Sequence, residues 1–192
     1  MNLPNKLTVF RIVLSPLFFV SYFFTEWTGC CEIGSIVLMI LIFVAAELSD
    51  LLDGYIARKY QLVTDIGKVI DPFADVLIRV TYFYCFTLSG LMPSWVFLLI
   101  MYRELGITFL RMLMIRKGVA MAASVWGKAK AVTYAAGGIM GLAYTVFFRL
   151  QPSIDFLPAL RSMTVAVFIL GALSSVLSFV TYLRDAASKL KS

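Results

Sequence analysis

The chain has 192 residues, of which 61% are hydrophobic and 15% are charged, and its formal net charge is +6. A water-soluble domain carries about 45–50% apolar residues, so the composition excludes a soluble globular protein and predicts an integral membrane protein. The chain contains no histidine, which excludes histidine-based acid–base chemistry and histidine metal ligation.

Six apolar segments are each long enough to cross a membrane, which takes about 20 residues as an α-helix. Their apolar residues are continuous rather than alternating, so a β-barrel is not expected. The connections are short, and we therefore predict one all-α membrane domain over residues 1–192 with six transmembrane helices. In chain order, the predicted spans cover about residues 7–24, 34–58, 69–90, 93–115, 128–148 and 160–183.

The first segment could be mistaken for a signal peptide, but two features favour a retained helix. Arg11 lies inside the segment, and no small-residue cleavage site follows Phe24. Proline removes a backbone donor and disturbs the interior of a helix. We therefore expect this helix to be kinked or loosened near Pro16.

Lysine and arginine residues are unevenly distributed between the two predicted faces of the membrane. One face carries only Arg149 and Arg161, so the positive-inside rule places the other face and both termini in the cytoplasm. We interpret the basic face as a topology signal and a contact with anionic lipid, and we expect no nucleic-acid partner. The residues of this face are Lys6, Arg58, Lys59, Lys68, Arg116, Lys117, Lys128, Lys130, Arg184, Lys189 and Lys191.

Four aspartates lie at the predicted cytoplasmic ends of the second and third spans. Asp50 and Asp53 are three residues apart, and Asp71 and Asp75 are four apart, so each pair shares a helix face. Carboxylates at membrane depth are costly and require a partner. Hard oxygen ligands without cysteine or histidine favour Mg²⁺, Mn²⁺ or Ca²⁺. Four of them could hold two ions, and a paired-metal site suits in-line displacement at phosphorus.

Two glycines and an arginine are interleaved with these carboxylates. Gly54 and Gly67 each lie within one turn of an aspartate. Glycine costs about 1 kcal/mol relative to alanine in a helix, a cost that close approach of a ligand would compensate. Arg58, at the cytoplasmic rim, suits a phosphate or a carboxylate. Two alternatives remain open from these residues: the carboxylates pair with a buried arginine, or they form the ion path of a cation transporter. A transporter would distribute them along the membrane normal, whereas these cluster at one end.

The block from Asp50 to Asp75 has the pattern D-x2-D-G-x2-A-R-x8-G-x3-D-x3-D. It resembles the signature of the CDP-alcohol phosphatidyltransferase family. The resemblance implies that the four aspartates bind two divalent cations, Mg²⁺ or Mn²⁺, and that Asp75 is also the general base. It further implies a CDP site lined by Gly54, Arg58 and Gly67.

Other segments resemble bacterial phosphatidylglycerophosphate synthases, a branch of that family. In that branch the residues that match Pro4, Asn5 and Thr8 lie near the nucleotide. Arg103 and Glu104 precede Arg111 in the fourth span, and Glu104 can neutralise one of the two arginines. A phosphorylated acceptor needs cationic groups beside its hydroxyl. The candidates in the fourth and fifth spans are Arg111, Lys128 and Lys130.

Two positions depart from the synthase pattern, which usually has lysine after the fourth aspartate and threonine after the second lysine of the fifth span. This chain has Val76 and Ala131 there. Arg79, four residues after Asp75, either replaces the missing lysine or pairs with Asp75. Both departures lie near the presumed acceptor pocket and concern the acceptor more than the reaction class.

We therefore expect a multi-pass enzyme of the cytoplasmic (inner) membrane, with its active site facing the cytoplasm. The expected reaction transfers a phosphatidyl group from CDP-diacylglycerol to glycerol 3-phosphate. The resemblance also implies a homodimer. Within the same reaction class, inositol phosphate, serine or choline remain alternative acceptors.

Overall fold

The computed structural model describes residues 3–59, 65–116 and 125–191. Within these ranges the chain forms α-helices and no strand. The prediction of an all-α protein is confirmed, and each helix overlaps one of the predicted spans. The helices are α1 (Leu3–Thr28), α2 (Glu32–Lys59), α3 (Asp65–Leu88), α4 (Ser94–Arg116), α5 (Val125–Leu150) and α6 (Leu157–Lys191).

Four of the helices are long and apolar enough to cross a membrane, as expected of a multi-pass membrane protein. Their apolar parts are Asn5–Thr28, Glu32–Asp53, Gly127–Leu150 and Leu157–Ala187. Helices α3 and α4 are also long enough to cross a membrane, but they carry more charged residues in their central turns than the other four helices. The charged residues are Asp71, Asp75 and Arg79 in α3, and Arg103, Glu104 and Arg111 in α4. Six spans with both termini in the cytoplasm therefore stay a prediction.

Proline interrupts neither of the two helices that have it in their interior. Pro16 lies inside α1 and Pro72 inside α3, and both helices continue on either side. The side chain next to Pro16 forms a contact between helices, because Ser15 Oγ lies 2.6 Å from Thr81 Oγ1 of α3. The kink that we predict at Pro16 therefore does not end α1.

The described helices belong to two compact units, Met1–Cys85 and Phe86–Ser192. In the first unit α1 packs along α2, and aromatic rings join both helices to α3. The Tyr82 ring centroid lies 4.6 Å from that of Phe18 in α1 and 4.8 Å from that of Phe43 in α2. This aromatic core fixes α3 against the other two helices. A single domain over residues 1–192 stays a prediction.

In the second unit α6 packs against both α4 and α5. The buried rings of Phe86 and Phe168 are stacked with centroids 5.9 Å apart. Tyr134 of α5 donates a 2.8 Å hydrogen bond to Ser175 Oγ of α6. Apolar packing and a buried polar contact thus both hold α6 in place.

Gly141 lies in α5 directly against the Phe86 ring, which gives a first testable prediction. A Cβ atom at this position would lie 2.5 Å from Phe86 Cε2. Alanine is favoured over glycine in a helix by about 1 kcal/mol, but overpacking a core costs about 1–3 kcal/mol. We expect Gly141→Ala to lower the melting temperature in detergent.

Gly34→Ala in α2 is the matched control, because a Cβ atom there would meet nothing within 4 Å. We expect this variant to keep or raise the melting temperature, since only the gain in helix propensity remains. Equal effects of the two substitutions would show that Phe86 moves aside at no cost.

Candidate functional site

The four aspartates lie on two helices of the first unit and face a third. Asp50 and Asp53 belong to the last turns of α2, and Asp71 and Asp75 to the first half of α3. The beginning of α1 supplies Thr8 and Arg11, whose side chains share a face because they are three residues apart. The site is therefore built from α1, α2 and α3.

The guanidinium of Arg11 connects three of the four aspartates. Its Nη1 donates to Asp50 Oδ1 and Asp75 Oδ1, and its Nη2 donates to Asp53 Oδ2. The Arg11 side chain is only 1% exposed. Hydrogen bonds between charged groups are about twice as strong as neutral ones. This arginine therefore neutralises part of the carboxylate charge that the helix ends bring together.

The fourth aspartate, Asp71, also contacts α1. Thr8 is fully buried, and its Oγ1 donates to Asp71 Oδ1. Asn5, one turn earlier in the same helix, is half-buried. Two polar side chains of α1, Thr8 and Arg11, thus reach all four aspartates.

The aspartates differ in their access to solvent. The side chain of Asp53 is 7% exposed, whereas those of Asp50 and Asp75 are 32% and 33% exposed. Asp50 forms a second ion pair, with its Oδ2 atom 3.8 Å from Arg79 Nη2. Asp53 is therefore the most deeply buried of these three aspartates, and Asp50 and Asp75 are partly exposed.

The other predicted residues of the nucleotide site are described in part. Gly67 is buried in α3, one turn before Asp71. Pro4 lies in α1, and Gly54 and Arg58 lie in α2, but the structure does not describe the surroundings of these three residues. Among the residues that the structure describes, no three carboxylate or cysteine side chains are grouped as the ligands of one metal ion. Three carboxylates meet at a guanidinium instead.

A second charged cluster lies in the other unit, between α4, α5 and α6. Glu104 Oε1 accepts hydrogen bonds from Arg103 Nη1 at 2.8 Å and from Lys130 Nζ at 2.9 Å, and all three residues are buried. Arg103 also donates to the Ser175 carbonyl at 3.3 Å and to Ser178 Oγ at 2.9 Å. The expectation that Glu104 neutralises an arginine is confirmed for Arg103.

The cations predicted to bind the acceptor differ in exposure. Arg111 and Lys128 are exposed. Arg111 Nη2 donates to the Tyr182 hydroxyl at 3.2 Å, and its guanidinium lies 5.5 Å from the centre of that ring. Lys130 is buried beside Glu104, with its Nζ 4.8 Å from the centre of the Tyr134 ring. Arg111 and Lys128 are the more accessible of the three to a dissolved anion.

Two groups of site residues were missed in the sequence. Arg11 served there only as evidence against a signal peptide, although a lone arginine inside an apolar helix must find an anion. Ser175, Ser178 and Tyr182 follow one another at spacings of three and four in α6. Such a polar stripe along an otherwise apolar helix predicts a buried polar contact, and it could have indicated the partners of Arg103 and Arg111.

The comparisons with known proteins agree with the family resemblance of the sequence. The family model described as CDP-alcohol phosphatidyltransferase matches residues 1–177. A protein of Treponema pallidum (strain Nichols), named CDP-diacylglycerol–glycerol-3-phosphate 3-phosphatidyltransferase, is 32% identical over 191 residues, which cover 96% of this chain and 88% of the relative. A protein of the same name from Bacillus subtilis (strain 168) is 36% identical over 135 residues, covering 67% and 70%. Another from Rickettsia felis is 43% identical over 77 residues, covering 40% and 39%.

Proposed function

Since the chain belongs to the CDP-alcohol phosphatidyltransferase family, we propose that it transfers a phosphatidyl group from CDP-diacylglycerol to glycerol 3-phosphate. The products are phosphatidylglycerol phosphate and CMP. The Treponema pallidum relative, whose alignment covers 96% of this chain at 32% identity, is named for this reaction. The observation that carries the proposal is the convergence of Asp50, Asp53 and Asp75 on the Arg11 guanidinium of α1. Asp71 contacts the same helix through Thr8.

The carboxylates fit the divalent cations on which this family generally depends. Three of them already surround a positive group, the Arg11 guanidinium, and all of the donor atoms are hard oxygens. The proposed ligands of two Mg²⁺ or Mn²⁺ ions are Asp50, Asp53, Asp71 and Asp75. When bound, such ions neutralise the charge that develops on the pyrophosphate as CMP leaves.

Asp75 is the proposed general base. It accepts the proton of the acceptor hydroxyl, whose oxygen then attacks the phosphorus on the lipid side of the pyrophosphate. The bond from that phosphorus to the CMP oxygen breaks, and CMP leaves with the electron pair. The 33% exposure of the Asp75 side chain supports this role, because a dissolved acceptor has to reach it. Asp53, at 7%, is less accessible.

The proposed CDP-lipid site combines the start of α1 with the glycines and the arginine of the signature. Its residues are Pro4, Asn5, Thr8, Gly54, Arg58 and Gly67. A shallow apolar groove of about 330 Å³ between α1 and α3 supports a lipid substrate, since its lining begins one turn from Arg11. The groove is lined by Ser15, Pro16, Phe19, Leu77, Val80, Thr81 and Tyr84.

The proposed acceptor residues are cations that could hold the phosphate of glycerol 3-phosphate. Arg79 of α3 lies beside Asp50 of α2. Arg111 and Lys128 are exposed, which supports a direct role for both. Lys130 completes the proposed set from its buried position beside Glu104. Guanidinium and ammonium groups bind phosphate through charge-assisted hydrogen bonds.

The proposed setting is the cytoplasmic membrane, with both termini and the aspartates on the cytoplasmic side. The excess of lysine and arginine on that side supports this orientation. A homodimer is proposed from the family resemblance. This location would let the membrane supply the lipid while the cytoplasm supplies the acceptor.

A CMP-release assay tests the proposed reaction. Purified protein with CDP-diacylglycerol and Mg²⁺ or Mn²⁺ should release CMP when glycerol 3-phosphate is added, and the lipid extract should contain phosphatidylglycerol phosphate. Inositol phosphate, serine and choline serve as comparison acceptors, and a higher kcat/KM with one of them would replace the proposed acceptor. Ion flux in proteoliposomes without CMP release would overturn the enzyme in favour of a cation transporter.

A further inference from the structure

Arg11 is a buried cation to which the reaction above gives no task. Its guanidinium donates to Asp50, Asp53 and Asp75. Arginine stays protonated in proteins, so the positive charge at this position is permanent. The Nε atom of Arg11 is buried without a hydrogen-bond partner among the described residues. The contacts with the aspartates therefore depend on the two terminal nitrogens alone.

The protein itself supplies two cations to this cluster, and they offset part of its negative charge. Asp50, Asp53 and Asp75 carry three negative charges, and Arg11 and Arg79 carry two positive ones. Burying a charge is costly unless it is paired and hydrogen-bonded. The two arginines thus stabilise an arrangement of carboxylates that would otherwise repel one another.

Arg11 contacts one oxygen of each of these three carboxylates, so a divalent cation bound to the same aspartates would lie next to the guanidinium. The guanidinium cannot lose its proton, and like charges repel strongly where water is excluded. We infer that Arg11 is an internal counter-cation that competes with divalent metal for Asp50, Asp53 and Asp75. This inference rests on the metal site of the proposed function. Metal binding would move the guanidinium away from at least one carboxylate.

With this competition, the apparent metal affinity equals the intrinsic affinity multiplied by the fraction of protein in which Arg11 has left the site. A minor conformation of this type is populated at about 0.1–10%. If the fraction is about 1–10%, removing the guanidinium should tighten metal binding by about 10–100-fold. The same removal should destabilise the metal-free protein, because the aspartates lose their partner.

Arg11→Gln tests the inference through Mn²⁺ binding, measured by electron paramagnetic resonance in detergent without substrate. We expect the dissociation constant to fall by about 10–100-fold relative to the unchanged protein. We also expect a lower melting temperature in EDTA, restored by Mn²⁺. Arg79→Gln is the matched control: Arg79 is partly exposed and lies 3.8 Å from Asp50. Its effect on Mn²⁺ affinity should stay within about fivefold.

Chemical rescue separates competition from a purely structural role. In Arg11→Ala, added methylguanidinium should raise the melting temperature in EDTA and weaken Mn²⁺ binding, because it would occupy the space of the missing group. A structural role would leave Mn²⁺ affinity independent of methylguanidinium, and that result would contradict the inference.

Other outcomes are equally decisive. Unchanged or weaker Mn²⁺ binding in folded Arg11→Gln would overturn the inference. Failure of both Arg11→Gln and Arg11→Lys to fold even with Mn²⁺ would also overturn it, since the metal should take over the neutralising role. Absence of Mn²⁺ binding in the unchanged protein would remove the proposed metal site and this inference together. CMP release tests the proposed reaction separately.

Discussion

Asp75→Asn should reduce the kcat for CMP release by at least about 10²–10⁴-fold, which is the usual contribution of a general acid or base. Asparagine keeps the size of the side chain and one oxygen acceptor but cannot take the proton of the acceptor hydroxyl. Asp155→Asn is the control. Asp155 is an exposed aspartate in the connection between α5 and α6, so this variant should retain full activity. Near-normal turnover of Asp75→Asn would remove Asp75 from the base role.

Asp75 is also a proposed metal ligand, so the measurement has to separate the two roles. Loss of the base alone leaves the affinities for Mn²⁺ and CDP-diacylglycerol close to those of the unchanged protein, while the single-turnover rate falls. Loss of a ligand weakens Mn²⁺ binding in parallel with activity. Asp53→Asn gives the comparison, because Asp53 is buried and should act through binding rather than proton transfer. Its activity should recover in part at high Mn²⁺ concentration.

The aspartate site was largely predictable because helical periodicity is local. Spacings of three and four residues fixed which carboxylates share a face, and the apolar runs fixed which helices carry them. The same reasoning did not identify the partner of the carboxylates. Arg11 precedes Asp50 by 39 residues, and only the packing of α1 against α2 and α3 brings the two together. From the sequence, pairing of the carboxylates with a buried arginine remained an alternative to a metal site. In the structure, three of the carboxylates pair with Arg11.

The positions of the acceptor cations show where spacing alone becomes insufficient. Lys128 and Lys130 are two residues apart on α5, so they point in different directions, and their exposures differ accordingly. The sequence predicts the same role for both. It also connected Glu104 with an arginine, but the additional bond from Lys130 depends on how α4 and α5 are oriented around α6. Tertiary packing, which local periodicity does not determine, decides which cation is buried.

Glu104→Ala should destabilise the protein by about 3–5 kcal/mol, the cost of removing one partner from a buried ion pair. Two cations, Arg103 and Lys130, would remain buried without the carboxylate that both now contact. Glu104→Gln should cost less, because the amide oxygen still accepts one hydrogen bond. The free energy of unfolding in mixed micelles measures the difference. A change below about 1 kcal/mol for Glu104→Ala would show that other groups stabilise both cations.

Arg111→Ala is the matched substitution on the same helix and should have the opposite pattern. Arg111 is exposed, and its stacking on Tyr182 is worth about 0.5–1 kcal/mol, so the loss of stability should be small. Its guanidinium is available to a phosphate, so the KM for glycerol 3-phosphate should rise far more than the KM for CDP-diacylglycerol. Equal increases in both constants would assign Arg111 a structural role. Both residues lie on α4. The two substitutions together therefore distinguish a buried charged cluster that stabilises the fold from an exposed cation that binds the acceptor.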